Sequence, residues 1–201
     1  MKKIIIVLLT VVLVVSLFAN HESLLNELKA KYSATKTFEA DLSQTVNYTV
    51  HGMTIESTGR LYVDGDDFVI EFFAPMSQFV KVQKGVVTMY LQNENTAIKT
   101  AIGSERSNLF NPKYIISLIS RMDYMYEREG LLAFKVGIAS EPNTDYRVYV
   151  SPKDKLLQKV ESISKTGDIT IINLSLQRFN QSLSKKLSDF VIPVGAQIIE
   201  N

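Results

Sequence analysis

The sequence predicts an α+β protein dominated by an antiparallel meander of about eleven short strands, with two amphipathic helices. Three observations predict it. Hydrophobicity alternates with a period of two in segment after segment. Glycine, proline, asparagine and aspartate separate those segments at hairpin spacing. The helical period surfaces only twice.

The elements follow in order. Met1-Lys2-Lys3 is a short basic segment, Ile4 to Val15 is apolar apart from Thr10, and Ser16-Leu17-Phe18-Ala19 offers a small residue at a cleavage point. That is the build of a secretory signal peptide. The apolar run to Phe18 falls short of the roughly 20 residues that span a bilayer. Residues 1–19 are therefore expected to be removed after Ala19, leaving 20–201 as a single domain. Leu24, Leu25, Leu28 and Tyr32 then recur at helical spacing, opposite Glu27, Lys29 and Lys31, which predicts an amphipathic helix over Ser23 to Tyr32.

From Glu39 to Val50 the period changes. Ala40, Leu42, Gln44, Val46, Tyr48 and Val50 alternate with Glu39, Asp41, Ser43, Thr45, Asn47 and Thr49, a strand with one buried and one wet face. His51-Gly52 marks a turn. Ile55 to Val63 is a second strand ending at Asp64-Gly65-Asp66, a hairpin signal. Phe68 to Phe73 is a third, broken by Ala74-Pro75. Phe79 to Val82, Val86 to Leu91 and Thr96 to Ile102 follow. Asn111-Pro112 then opens a helix, with asparagine as cap and proline in the first position. Ile115, Ile116, Leu118, Ile119 and Met122 give it an apolar stripe over residues 112–122. Strands resume at Leu132 to Ile138, Tyr146 to Val150, Leu156 to Ile163 and Asp168 to Phe179. Asn180 to Asp189 is a polar loop, and Phe190 to Pro193 and Gln197 to Ile199 close the chain.

Composition narrows the function. Removing Lys2 and Lys3 with the signal leaves acidic residues ahead of basic ones by one, which disfavours nucleic acid or an anionic membrane as an electrostatic partner. The absence of cysteine excludes disulfides, thiolate metal sites and cysteine nucleophiles. His21 lies beside the expected mature terminus, and His51 sits in a turn, neither in a metal-ligand spacing. Asp64, Asp66 and Asp67 read as turn residues rather than a calcium loop. With neither a phosphate-binding glycine loop nor a serine elbow, the expectation is a protein that is not an enzyme and holds no metal or cofactor.

Several segments, in order, resemble the LolA family of periplasmic outer-membrane lipoprotein carriers. Thr37-Phe38-Glu39-Ala40-Asp41-Leu42-Ser43-Gln44-Thr45 is similar to its opening strand, and Thr58-Gly59-Arg60-Leu61-Tyr62-Val63 to its GxL strand. Phe68 to Pro75 resembles its FRWE segment, Lys84-Gly85 to Tyr90 its dGxxlwxY strand, Phe110-Asn111-Pro112 its P-x-x-L-L helix, and Phe190 to Ala196 its F-x-x-P-x-G close. The likeness covers nearly all of residues 22–199. It implies an unclosed antiparallel half-barrel with amphipathic helices as a lid over an apolar cavity. It also implies a monomeric periplasmic carrier that moves lipoproteins from the inner to the outer membrane. Its partners would be an acylated lipoprotein cargo, an inner-membrane release complex and an outer-membrane acceptor.

On that resemblance the acyl-chain cavity is assigned to Leu42, Val46, Phe68, Ile70, Phe72, Met89 and Leu91, with Met89 and Met122 as adaptable lining. The lid is assigned to Leu24, Leu25, Leu28, Ile115, Ile116, Leu118 and Ile119. The same side chains would equally serve as packed core. One departure bears on the latch. The family's FRWE segment carries an arginine that holds the lid by hydrogen bonds, and Val69 stands in its place here, with Ile70 in the tryptophan's. Arginine at position 69 is accordingly expected to tighten lid closure. A lipid- or lipoprotein-sensing half-barrel with a regulatory role, or one with a different amphiphile as ligand, remains the alternative.

Overall fold

The computed structural model describes residues 21–101, 111–139, 141–182 and 190–200. The expected signal peptide and the residues at Ile102 and 183–189 lie outside these. Residues 21–33 form helix α1. The strands are β1 (Thr37–Tyr48), β2 (Met53–Asp64), β3 (Asp67–Ala74), β4 (Gln78–Gln83), β5 (Val86–Leu91) and β6 (Thr96–Ala101). Helix α2 (Pro112–Ser117) follows, then β7 (Met122–Arg128), β8 (Leu131–Val136), β9 (Thr144–Ser151), β10 (Leu156–Ser164), β11 (Ile169–Phe179) and β12 (Gln197–Glu200).

Among the described residues the strands form one twelve-stranded sheet, ordered β12-β6-β5-β4-β3-β2-β1-β11-β10-β9-β8-β7. It is two meanders, β1–β6 and β7–β11, stitched together where β1 pairs antiparallel with β11. The edges β7 and β12 do not pair with each other, so the barrel is unclosed. β12 departs from the expected meander by lying parallel to β6. The end of the sheet that carries the β1–β2 turn is called the upper end below.

Register places the apolar alternation on one face. Ala40 pairs with Leu61, Leu61 with Ile70, Ile70 with Val80, and Val80 with Met89. Across the seam Leu42 pairs with Leu174, and further out Val160 with Val148 and Val148 with Phe134. Directly opposed residues share a face, so these side chains form one continuous inner surface. α1 contributes Leu24, Leu28 and Tyr32 to the same core, and α2 contributes Ile115 and Ile116.

The expected helix over 112–122 is shorter than its apolar stripe suggests. Asn111 caps it by accepting from the Lys113 N–H at 3.0 Å, and α-helical structure ends at Ser117. Leu118–Arg121 tightens into a 3₁₀ turn, which lets Met122 enter the edge strand β7. That strand was not expected. Asp123, Glu127 and Arg128 leave its alternation largely exposed, as suits an edge. Residues 190–193 form no strand; Phe190 instead stacks on Phe79 on the outer face, ring centroids 4.6 Å apart.

The seam is irregular where α1 meets it. β1 and β11 lose register between Glu39 and Asp41, and β9 and β10 between Leu157 and Lys159. Leu176 takes up the extra residue at φ 47° and is exposed, so the next residue, Gln177, turns inward. There the Tyr32 hydroxyl donates to Gln177 Oε1 at 2.8 Å and accepts from the Leu157 N–H at 3.0 Å. Gln177 Nε2 donates to the Leu157 carbonyl at 2.6 Å. The backbone polar groups of Leu157, unpaired with β11, are thus satisfied by side chains. Tyr32, Phe38 and Phe179 pack their rings around this triad at 5.2–6.1 Å.

Removing the hydroxyl in Tyr32→Phe leaves a buried N–H without its acceptor and should cost about 1–3 kcal/mol in urea unfolding at neutral pH. Burial pushes the Tyr32 phenol well above its ordinary value. Its contribution is therefore intact below about pH 10 and is lost as pH rises toward the folded-state value, so the variant should lose stability less steeply above pH 10 than the native chain. A second substitution probes the close pairing of β2 with β3. A Cβ at Gly59 would sit 2.4 Å from the Glu71 carbonyl oxygen, so Gly59→Ala should destabilise by roughly 1–3 kcal/mol by the same measurement.

Candidate functional site

The candidate site is the inner face of the sheet beneath α1 and α2. Of the assigned cavity residues, Leu42, Phe68, Ile70 and Phe72 are buried in the core. Val46, Met89 and Leu91 share their face by register but are half-buried. The assigned lid residues Leu24, Leu28, Ile115, Ile116, Leu118 and Ile119 are buried in the same core, and Leu25 packs against it half-buried. The two groups therefore meet across one apolar interface. Met122 packs against that core as well.

Among the described residues the interface is closely packed. Beneath α2, a void of about 10 Å³ is lined by Leu42, Leu61, Ile115, Leu157, Ile172 and Leu174, among others. It is lined by apolar side chains but is far too small for an alkyl chain. Accessibility rises toward the upper end. Along β1, Leu42 is 3 % exposed, while Gln44, Val46 and Tyr48 above it are half-buried. On β2, Gly59 is buried, Ser57 and Ile55 are half-buried, and Met53 is exposed. Among the described residues the lid thus fills the lower part of the inner face and leaves a mouth at the upper end. A groove of about 690 Å³ lies elsewhere, on the outer face beside residues 190–192. It is open, with Val86, Phe190, Val191 and Ile192 beside Lys81, Lys84 and Lys99.

α1 is held from one side. Besides its apolar stripe and the Tyr32 triad, it has a Glu27–Lys155 ion pair and a Lys31 ammonium 4.5 Å from the centre of the Phe179 ring. Burial lowers the Lys31 pKa, an effect Asp154 opposes. At the start of the helix His21 stacks on Tyr124 at 4.2 Å, with Phe134 edge-on at 6.3 Å. Tyr32 and Gln177 are the residues that sequence reasoning missed. Tyr32 lay on the predicted stripe, but nothing in the alternation marked Gln177 as inward, because the bulge at Leu176 shifts the pattern.

Val69 requires a correction. It lies on the outer face, clustered with Tyr62 and Phe79 and paired with Lys81, away from both helices. An arginine there would start from the face opposite the lid residues. Ile70, one residue on, faces the core. The outer face is otherwise polar around the seam, where Arg60 binds Asp41 at 2.8 Å and Arg178 binds Glu39 at 2.7 Å.

These placements predict opposite behaviour for two variants. Leu28→Ala, at a fully buried lid position, should cost about 2–5 kcal/mol and speed amide exchange in α1. Val69→Arg should leave α1 exchange unchanged relative to the rest of the sheet. A selective slowing of α1 exchange in Val69→Arg would restore the latch.

No family model matches the chain. An uncharacterized protein of Methanocaldococcus jannaschii is 24% identical over 196 residues, 90% of this chain and 54% of that protein. The chain thus spans about half the length of the curated relative it matches. An uncharacterized conserved protein from Thermus thermophilus superposes with a TM-score of 0.54 at 13% identity, over 90% of this chain and 99% of the other. MucB superposes at 0.51 with 12% identity, over 90% of this chain and 66% of its own. A LolA superfamily protein from Nitrosomonas europaea is also similar, at 0.43 and 10% identity, over 82% and 95% of the two chains. In fold, the chain is an α+β, unclosed half-barrel similar to the Thermus thermophilus protein and to MucB.

Proposed function

We propose that the protein is an exported, non-catalytic carrier that shields the acyl chains of a lipoprotein and moves them from one membrane to another. The observation that carries this reading is the continuous apolar inner face, closed by a one-sided helix and opening toward the upper end. Such a face is what a lipid tail requires in water. Burying an acyl chain is worth about 0.8 kcal/mol per methylene, so roughly 11 kcal/mol for a chain of about 14. The void beneath α2 has no room for it, so this reading requires α1 to move. Its buried anchors Leu24, Leu28 and Tyr32 hold at roughly 1.5–3 kcal/mol each, or about 5–9 kcal/mol together. The exchange favours the lipid by only a few kcal/mol, which suits a carrier that must also release. The half-buried Met89 and Leu91 extend the same face and would be reached once the lid lifts.

The test is solubilisation. The processed protein is incubated with donor-membrane vesicles bearing an acylated lipoprotein and its release machinery. Lipoprotein in the soluble fraction, bound to this chain and passed on to acceptor vesicles, is the expected result. A stable complex that is never delivered would instead identify a sensing half-barrel. No complex with the folded protein would remove both.

A further inference from the structure

The two ends of the sheet differ in chemistry. At the lower end the turns read Asp64-Gly65-Asp66-Asp67, Arg128-Glu129 and Lys153-Asp154-Lys155. At the upper end, the turns joining β1 to β2, β3 to β4 and β5 to β6, together with the approach to β12 over 193–196, carry one formal charge, Glu94. The charges of that end belong to the other meander, as with Lys165 and Asp168 in the β10–β11 turn.

The same turns and the strand ends beside them project large apolar side chains into solvent. Val50 is 72% exposed, Met53 47%, Phe73 49%, Met76 54% and Val194 105%. Single exposed apolar residues need no explanation, but a clustered set on one rim does. The rim is also braced. The Gln92 N–H donates to the Ser77 carbonyl at 3.2 Å and the Gln197 N–H to the Asn95 carbonyl at 3.0 Å. Asn95 Nδ2 reaches the Gly195 carbonyl at 3.1 Å, and the Thr49 N–H donates to Asp168 Oδ1 at 2.9 Å. The apolar tips are therefore held in place by their own turns.

We propose that the upper rim of β1–β6 is a membrane-docking surface that seats Val50, Phe73, Met76 and Val194 in the interfacial layer of a lipid bilayer. A bilayer is the occupant that the features fit. The side chains stand at three separate connections, β1–β2, β3–β4 and the approach to β12, a set of points rather than a flat face, and a fluid surface accepts points without matching pits. Their turns carry almost no charge, so little must be desolvated on entry. The rim also borders the mouth of the inner face, so a docked protein would present its opening to the lipid. That last point rests on the carrier reading, whereas the docking itself does not.

Flotation with neutral phosphatidylcholine vesicles tests it, at about 50 mM and about 500 mM salt, beside binding of a fluorescent fatty acid in solution. The native chain should float equally at both salt concentrations. Phe73→Glu, Met76→Glu and Val194→Asp should each lower vesicle partitioning about tenfold and leave fatty-acid binding unchanged. All three sites are exposed, and Val194 lies in a different connection from Phe73 and Met76, so a folding defect at the β3–β4 turn is exposed by Val194→Asp. The proposal is overturned if the native chain does not float, or if the variants float equally well. Flotation only with anionic vesicles, lost at high salt, overturns it in favour of the lysine-lined outer groove. A dimer that the variants dissociate overturns it in favour of a second copy. Vesicle binding without fatty-acid binding would sink the carrier reading and leave the docking surface standing.

Discussion

The hydrogen-bonded triad of Tyr32, Gln177 and the Leu157 backbone is the constraint on which the rest of this structure depends. It sits where three things must be reconciled: the joining of two meanders, a bulge in each neighbouring pairing, and the end of the covering helix. A buried bulge leaves peptide groups without ladder partners, and each such group costs on the order of 1–3 kcal/mol if left dry. Here a tyrosine from the helix and a glutamine from the strand supply what the ladder lacks. The same contact closes the sheet and docks the helix, so the polar bookkeeping of the seam and the apolar packing of the lid cannot be separated.

Much of this was legible in the chain, and the rest was hidden for physical reasons. The strict alternation from Ala40 to Val46 marked β1 because a strand buried on one face must alternate. The stripe Leu24, Leu28, Tyr32 marked α1, and its residues do lie in the core. β7 was obscured because an edge strand tolerates Asp123 and Arg128, and because its first residue completes the apolar stripe of α2. The inward turn of Gln177 was invisible, since one residue at positive φ shifts the phase of everything after it. Val69 shows the same lesson from the other side. In a strand of period two, a position assigned from a motif is on the inner or the outer face according to register alone.

The candidate site was legible as composition but not as state. Strand periodicity identifies which residues are apolar and inward; it does not say whether helices or a ligand covers them. Leu42, Phe68, Ile70 and Phe72 are covered by protein in this structure. The same face is exposed toward Met53 and Tyr48. Which residues hold a ligand is therefore a matter of the equilibrium between two coverings of one surface, and a sequence encodes that equilibrium only through differences of a few kcal/mol.

The pairing of β1 with β11 has a consequence for how the protein is made. Phe38 meets Phe179 and Asn47 meets Ile169, so the central pairing of the sheet joins the start of the domain to its last long strand. The β1–β6 hairpins are local and can close as soon as they are available, whereas this one waits for most of the chain and for the loop entropy of joining its ends. Until then β1 is an open edge with an apolar face. During synthesis, that interval is when the edge is open to wrong pairing, and a polypeptide cut short before residue 169 would keep that edge permanently unpaired.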